Sequence, residues 1–162
     1  SWLFGKSSSP PPEPEPVQWM RSADPEVRKK AAEAMGGVVE TWSVSALLKM
    51  LTDPSTPVRE AARSSLARIG AAAVEGLIEG LNHSNTDLGK SCAEILGDIA
   101  DPKSIGQLIV TLKYGARPVQ LACRRALERI GPPAKAELEA ARGETQPWVR
   151  EHIEGIISKL GP

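Results

Sequence analysis

The sequence predicts an all-α protein, a right-handed α-solenoid of about four to five helix pairs. Three observations carry that prediction. Apolar residues recur with a helical period, the pattern repeats every 30 or 31 residues, and the composition holds one Tyr and one Phe among abundant Ala, Leu, Ile, Gly and Glu. Such a composition suits close-packed helices better than a sheet. At 162 residues, the chain has room for one domain with a sizeable core plus a tail.

The elements follow in chain order. Residues 1–16 (SWLFGKSSSPPPEPEP) read as a disordered Pro/Ser-rich tail: a hydrophobic tip of Trp2, Leu3 and Phe4, a Gly/Ser hinge, then prolines that favour extended polyproline II. The tip can be a floppy terminus or an anchor offered to a partner or membrane surface. Residues 17–162 form the array. Met20 holds the place that Leu51, Leu81 and Leu112 hold in later units, so residues 17–21 are a half-repeat cap. Five segments then align on Val27, Val58, Leu88, Val119 and Val149. From each anchor the apolar set recurs as one helix stripe: Ala31, Met35 and Val38; Ala62, Leu66 and Ile69; Cys92, Leu96 and Ile99; Cys123, Leu127 and Ile130; Ile153, Ile157 and Leu160.

A second stripe follows each of the first four: Val44, Leu47, Leu48 and Leu51; Val74, Leu77, Ile78 and Leu81; Ile105, Leu108, Ile109 and Leu112; Ala134, Leu138 and Ala141. Each unit is therefore a helix pair. Pro25, Pro57, Pro118 and Pro147 open first helices, where a missing N–H is harmless. Gly36, Gly70, Gly97 and Gly131 are expected at their ends. The last helix, near 146–160, has no second helix and caps the rear.

The phrases DPEVRKKAAEAMG, TPVREAARSSLARIG, RPVQLACRRALERIG and PWVREHIEGIISKLG resemble the short HEAT-like repeats named for phycocyanobilin lyase subunits. The resemblance covers roughly residues 17–161, and the third copy departs from it at Leu88-Gly89, where Val-Arg is expected. It implies stacked helix pairs whose second helices build one long binding face. It also implies an alternative function, a bilin lyase-like enzyme subunit or chaperone acting on a phycobiliprotein. A fold does not carry its chemistry with it, so the reading from the residues is a non-enzymatic scaffold or adaptor that binds another protein.

On the second helices the positions outside the core stripe are Ser43, Ser45, Ala46 and Lys49, then Glu75, Gly76 and Glu79, then Lys103, Gln107, Val110, Thr111 and Tyr114. Of these Lys49, Glu75, Glu79, Gln107, Thr111 and Tyr114, with Trp2, Leu3 and Phe4 of the tip, are the candidate partner-binding residues. Trp19, Trp42 and Trp148 are read as packing at repeat junctions, with Trp19 and Trp148 also suited to dock a neighbour.

The formal charge is zero, so no overall field draws the chain to nucleic acid. A possible basic patch of Arg117, Arg124, Arg125 and Arg129 keeps nucleic acid or another polyanion as a second alternative. The resemblance implies that the arginines after the anchors, Arg28, Arg59 and Arg150, reach carbonyls or acids of an adjacent turn, and Asp53, Glu33, Glu60 and Glu128 supply compensating charge for them and for the cations ten residues past anchors, Arg68, Arg129 and Lys159.

No catalytic, cofactor or metal constellation is legible. Cys92 and Cys123 fall on core stripes, and His83 and His152 lack neighbours at zinc-ligand spacing. Gly89-Lys90-Ser91 echoes a phosphate loop but falls inside a helix. The expectation is therefore no enzyme and no cofactor. Two cysteines make no disulfide framework, no apolar run approaches the ~20 residues of a membrane span, and a cytoplasmic location follows as the expectation.

Overall fold

The computed structural model describes residues 12–143 and 146–162. Trp2, Leu3 and Phe4, and with them most of the expected tail, lie outside the described residues. Ten α-helices are described: α1 (Glu15–Trp19), α2 (Pro25–Met35), α3 (Thr41–Met50), α4 (Thr56–Ile69), α5 (Val74–Gly80), α6 (Thr86–Ile99), α7 (Ile105–Tyr114), α8 (Arg117–Ile130), α9 (Lys135–Arg142) and α10 (Pro147–Leu160). Short 3-10 turns at Gly70–Ala73, Pro102–Ser104 and Pro132–Ala134 lead into α5, α7 and α9. The array is the expected right-handed stack of helix pairs. First helices α2, α4, α6, α8 and α10 form one layer, each packed on the next, and second helices α3, α5, α7 and α9 form the other. Helix α1 lies against α2 and takes in Glu15 and Pro16, just ahead of residue 17.

Burial follows the stripes. Ala31, Met35, Ala62, Leu66, Cys92, Leu96, Cys123, Leu127 and Ile153 are fully buried in the first layer, as are Leu47, Leu77, Leu108 and Leu138 in the second. Each such leucine contributes roughly 1.5–3 kcal/mol. The last helix differs slightly, since Ile156 rather than Ile157 is fully buried.

Helix ends follow local chemistry. The prolines sit in the first turn of α2, α4, α8 and α10. Asp24 and Asn85 accept amide hydrogens at the starts of α2 and α6. Gly70 and Gly131 take φ values of 68° and 77° and close α4 and α8 as expected. Gly36 and Gly97 do not share that role. Gly36 has φ −65°, and α6 runs past Gly97 to end at Ala100, a non-glycine residue at φ 56°. A methyl group there crowds the backbone, so Ala100→Gly is expected to stabilise the protein by roughly 0.5–1 kcal/mol, read as a higher urea midpoint.

What Gly36 and Gly97 do instead is let helices approach. A Cβ built on Gly97 would lie 2.9 Å from Ala126 Cα, and one on Gly36 would lie 2.8 Å from Ser65 Cβ. Thus α2 meets α4, and α6 meets α8, through a ridge of small residues: Ala32 with Gly36, Ala93 with Gly97. At the other two junctions the corresponding positions hold Arg63 with Ala67 and Arg124 with Glu128, and polar contacts replace the close approach. Arg63 pairs with Glu94 and Asp98 across α4 and α6. Arg124 bonds His152 across α8 and α10 at 2.8 Å.

The junctions therefore alternate, tight then polar, and the larger repeat is two helix pairs. Gly36 and Gly97, Arg63 and Arg124, Arg68 and Arg129, and Gly70 and Gly131 all stand 61 residues apart. The second layer alternates too, for α3 packs on α5 and α7 on α9, while α5 touches the turn ahead of α7.

Candidate functional site

The arginines decide whether the array has a basic face. Arg28 grips Asp53 with two hydrogen bonds, Nε to Oδ2 at 2.8 Å and Nη2 to Oδ1 at 3.0 Å, and also donates to the Ser22 and Ala23 carbonyls. Burial pushes the Asp53 carboxyl upward, but the Arg28 hydrogen bonds, the Ser55 amide and the charges of Arg28 and Arg59 outweigh it and hold it below its ordinary value. Arg59 donates to the Asp53 carbonyl at 2.6 Å. Arg68 reaches the Glu33 carbonyl, Arg129 pairs with Asp98, and Lys159 pairs with Glu128. These cations are clamps between successive repeats. Of the expected basic patch, Arg124 and Arg129 are engaged with Glu128, His152 and Asp98, while Arg117 and Arg125 stand exposed. Of the four arginines on α8, two thus have no acidic partner among the described residues, short of a continuous cationic surface.

The third repeat's departure has a steric cause. A Cβ on Gly89 would meet the Leu81 carbonyl oxygen at 2.8 Å and Val119 Cγ2 at 2.9 Å. An arginine there would push α8 away from α6, and Gly89 is buried inside α6, where it cradles no phosphate. His83 is a turn residue, its Nδ1 accepting the Asn85 amide as Asp53 accepts that of Ser55. His152 lies between Arg124 and the edge of Trp148. Among the described residues no group of three or more His, Cys, Asp or Glu is placed to hold a metal, and no helix is long and apolar enough to cross a membrane. Cys92 and Cys123 are free and buried, and burial pushes each thiol up to about 12, leaving little thiolate for nucleophilic chemistry.

The second-helix face is the remaining candidate. Lys49, Glu75, Glu79 and Tyr114 are exposed there and Gln107 is half-buried. Thr111 is not on the face. It is 1% exposed, with its hydroxyl lacking a hydrogen-bond partner among the described residues. Thr111 sits three residues past Leu108 on the same helix flank, so the helix turns it inward. Ser43 and Ala46 are likewise buried, Ser43 with its hydroxyl bonded to the Val38 and Glu40 carbonyls at the start of α3. Thr111→Val removes the unsatisfied hydroxyl while keeping the shape. It is expected to be stabilising by about 1 kcal/mol, measured as a shift in thermal midpoint.

Two features of the surface were not legible beforehand. A groove of about 340 Å³ runs between α3 and α5, lined by Val44, Leu48, Gly76, Glu40, Glu75 and Glu79 among others. A neighbouring groove of about 480 Å³ continues past Gly80 to His83 and Leu88. Val110 and Tyr114, both read as lying outside the core stripe, are exposed apolar residues of α7. Trp42 packs against the core, whereas Trp19 and Trp148 stay more than a third exposed.

Comparison with known proteins bears on this geometry. The family model for HEAT repeats matches residues 13–75. That match covers the front of the array, and in fold the whole is a HEAT-type stack of helix pairs. No curated protein matches the chain. Among solved structures, a chain in the complex of CpcE and CpcF of phycocyanin lyase from Nostoc sp. PCC7120 is similar at TM-score 0.53 and 24% identity, over 99% of this chain and 70% of that one. Human deoxyhypusine hydroxylase, solved in complex with glycerol, is similar at TM-score 0.50 and 19% identity, over 90% of this chain and 72% of that one. The lyase match corrects the expectation that the chain is no enzyme: a stack of helix pairs matching this one along nearly its whole length belongs to an enzyme complex, so the lack of a legible catalytic constellation excludes nothing.

Proposed function

We propose that this HEAT-repeat array holds a partner protein along its second-helix face. The observation that carries the reading is the contrast between the two layers. Glu75 and Glu79 of the second layer have no ion-pair partner among the described residues, whereas Glu94, Asp98 and Glu128 of the first layer are each matched to a cation, and grooves of about 340 and 480 Å³ open beside the two unpaired carboxylates. A photo-crosslinking amino acid placed at Ser45, Gln107 or Val110 is expected to capture a partner in cells, while the same group at Lys30, Glu60 or Leu121 on the first helices captures none. Capture from the first helices alone would overturn the reading. The tail of residues 1–16 is proposed as a second, tethered contact that adds avidity. Deleting residues 1–11, which spares the Glu13–Arg21 pair beside α1, should weaken capture.

A second reading is favoured by the match to the phycocyanin lyase complex. In it the array is one subunit of a bilin lyase-type enzyme, and the docked partner is a phycobiliprotein. The buried thiols of Cys92 and Cys123 are unsuited to take a bilin covalently, so this chain would supply recognition and the partner the attachment site. Mixing the chain with free bilin and an apo-biliprotein tests it. A red-shifted, protein-bound band that requires this chain supports the reading, and unchanged bilin absorption with every partner subunit present sinks it.

A further inference from the structure

The inference rests on the docking reading above and names the chemistry of the docked segment. The second helices register on their buried leucines Leu47, Leu77, Leu108 and Leu138. In each, the residues two before and two after the leucine are exposed, so the face is a ladder of four rungs: Ser45 and Lys49, Glu75 and Glu79, Gly106 and Val110, Ala136 and Ala140. Tyr114, 80% exposed, extends the third rung.

The rungs differ in kind. Glu75 and Glu79 stand four apart on one helix, an arrangement that repels by roughly 0.2–0.5 kcal/mol. Neither has an ion-pair or hydrogen-bond partner through its side chain among the described residues, in contrast to Asp53, Glu94, Asp98 and Glu128 of the first layer and its turns, each matched to an arginine or lysine. Glu40 adds a third carboxylate to the same groove, whose floor is apolar because Gly76 has no side chain. A Cβ at Gly76 would lie 3.1 Å from both Leu48 Cδ1 and Val44 Cγ1. The next two rungs expose Val110, Tyr114, Ala136 and Ala140, with the Glu137 carboxylate beside them, its Oε2 lying 3.5 Å from a Cβ built on Gly106.

We propose that the face docks a segment of a partner protein in which lysine or arginine side chains stand beside an apolar stretch. The cations lie over Glu40, Glu75 and Glu79, and the apolar side chains lie over Val110, Tyr114, Ala136 and Ala140. Lys49, on the rung before, repels cations and so fixes the direction, with the apolar part running toward α9. Adjacent packed helices are 8–10 Å apart, so the cationic and apolar parts are separated by roughly one such step or more.

The test uses the full chain and a fluorescein-labelled synthetic peptide whose first half alternates lysine with serine and whose second half alternates leucine with serine, followed by fluorescence anisotropy. Binding is expected, with a loss of at least about tenfold for the double variant Glu75→Lys/Glu79→Lys, because two exposed attractions become repulsions. Val110→Asp/Tyr114→Ala is expected to lose several-fold. The control Glu26→Lys/Glu60→Lys changes net charge equally on the first helices and should bind as the parent does. No binding by the parent, or equal losses in the two charge-reversed variants, overturns the proposal. A peptide with glutamate in place of lysine separates the two levels of inference. If it binds as well and is weakened by Val110→Asp/Tyr114→Ala, the cationic assignment falls while the docking face stands. Crosslinked partners captured only from first-helix positions would instead bring down the face itself.

Discussion

Replacing Gly97 with valine is expected to destabilise the protein by about 3 kcal/mol or more. A glycine in a helix interior ordinarily costs about 1 kcal/mol against alanine, so propensity alone predicts a gain. Packing reverses the sign. The new Cβ would lie 2.9 Å from Ala126 Cα and 3.1 Å from Ala126 Cβ, and the obstacle is backbone, which cannot rotate away. Helices α6 and α8 must separate, and overpacking of this kind typically costs 1–3 kcal/mol, to which valine adds its second branch. Because stability in a repeat array is carried by interfaces between neighbours, the damage is expected to appear as a broadened urea transition as well as a lower midpoint. Gly143→Ala is the contrast. Nothing lies within 4 Å of its Cβ position and its φ is −76°, so it is expected to be neutral or slightly stabilising. Equal behaviour of the two variants would mean that α6 and α8 are not in close contact.

That contrast shows what the sequence could and could not disclose. The helix pairs were legible because burial in a stack imposes a period on apolar residues. Five anchors and their stripes mark it, and Leu47, Leu77, Leu108 and Leu138 are buried as the pattern requires. Gly97 was misread because a glycine near a helix end can serve either a left-handed cap or a close approach, and one sequence does not separate them. The 61-residue correspondence of Gly36 with Gly97 and Arg63 with Arg124 was the available signal, hidden by the stronger 30-residue period. On the face, Lys49, Glu75, Glu79 and Tyr114 were legible as polar or aromatic residues off the stripe, but Thr111 was not. A threonine outside the apolar set reads as exposed until the neighbouring helices are in place. The groove between α3 and α5 depends on Gly76 sitting over Val44 and Leu48, a relation between helices that no single helix period encodes. Whether such an array serves an enzyme was not legible at all, since the grooves and clamps of a holding array look the same whether or not its assembly performs chemistry.

Replacing Asp53 with asparagine is the second large expected effect, about 2–3 kcal/mol of lost stability at neutral pH. Asp53 sits in the turn between α3 and α4 and is mostly buried together with Arg28. Its carboxylate takes two hydrogen bonds from Arg28, and one of its oxygens also accepts the Ser55 amide at 2.9 Å. Asparagine keeps the size but offers an amide N–H₂ toward a guanidinium that has only donors, leaving part of Arg28 without an acceptor in a partly buried place. The pH dependence gives the sign. With its folded value held below the ordinary one, Asp53 contributes stability that is fully present above the ordinary carboxyl range near 4 and is lost as pH falls through the folded value. The gap between parent and Asp53→Asn, measured by urea denaturation, is therefore expected to be constant from neutral pH down to about 5 and to narrow below about 4. A gap that stays constant through the acid range would show that the carboxylate charge contributes nothing. The Arg59 bond to the Asp53 carbonyl survives the substitution, so Arg59→Ala combined with Asp53→Asn is expected to cost more than either alone, because the first two helix pairs then lose both of their clamps at this turn.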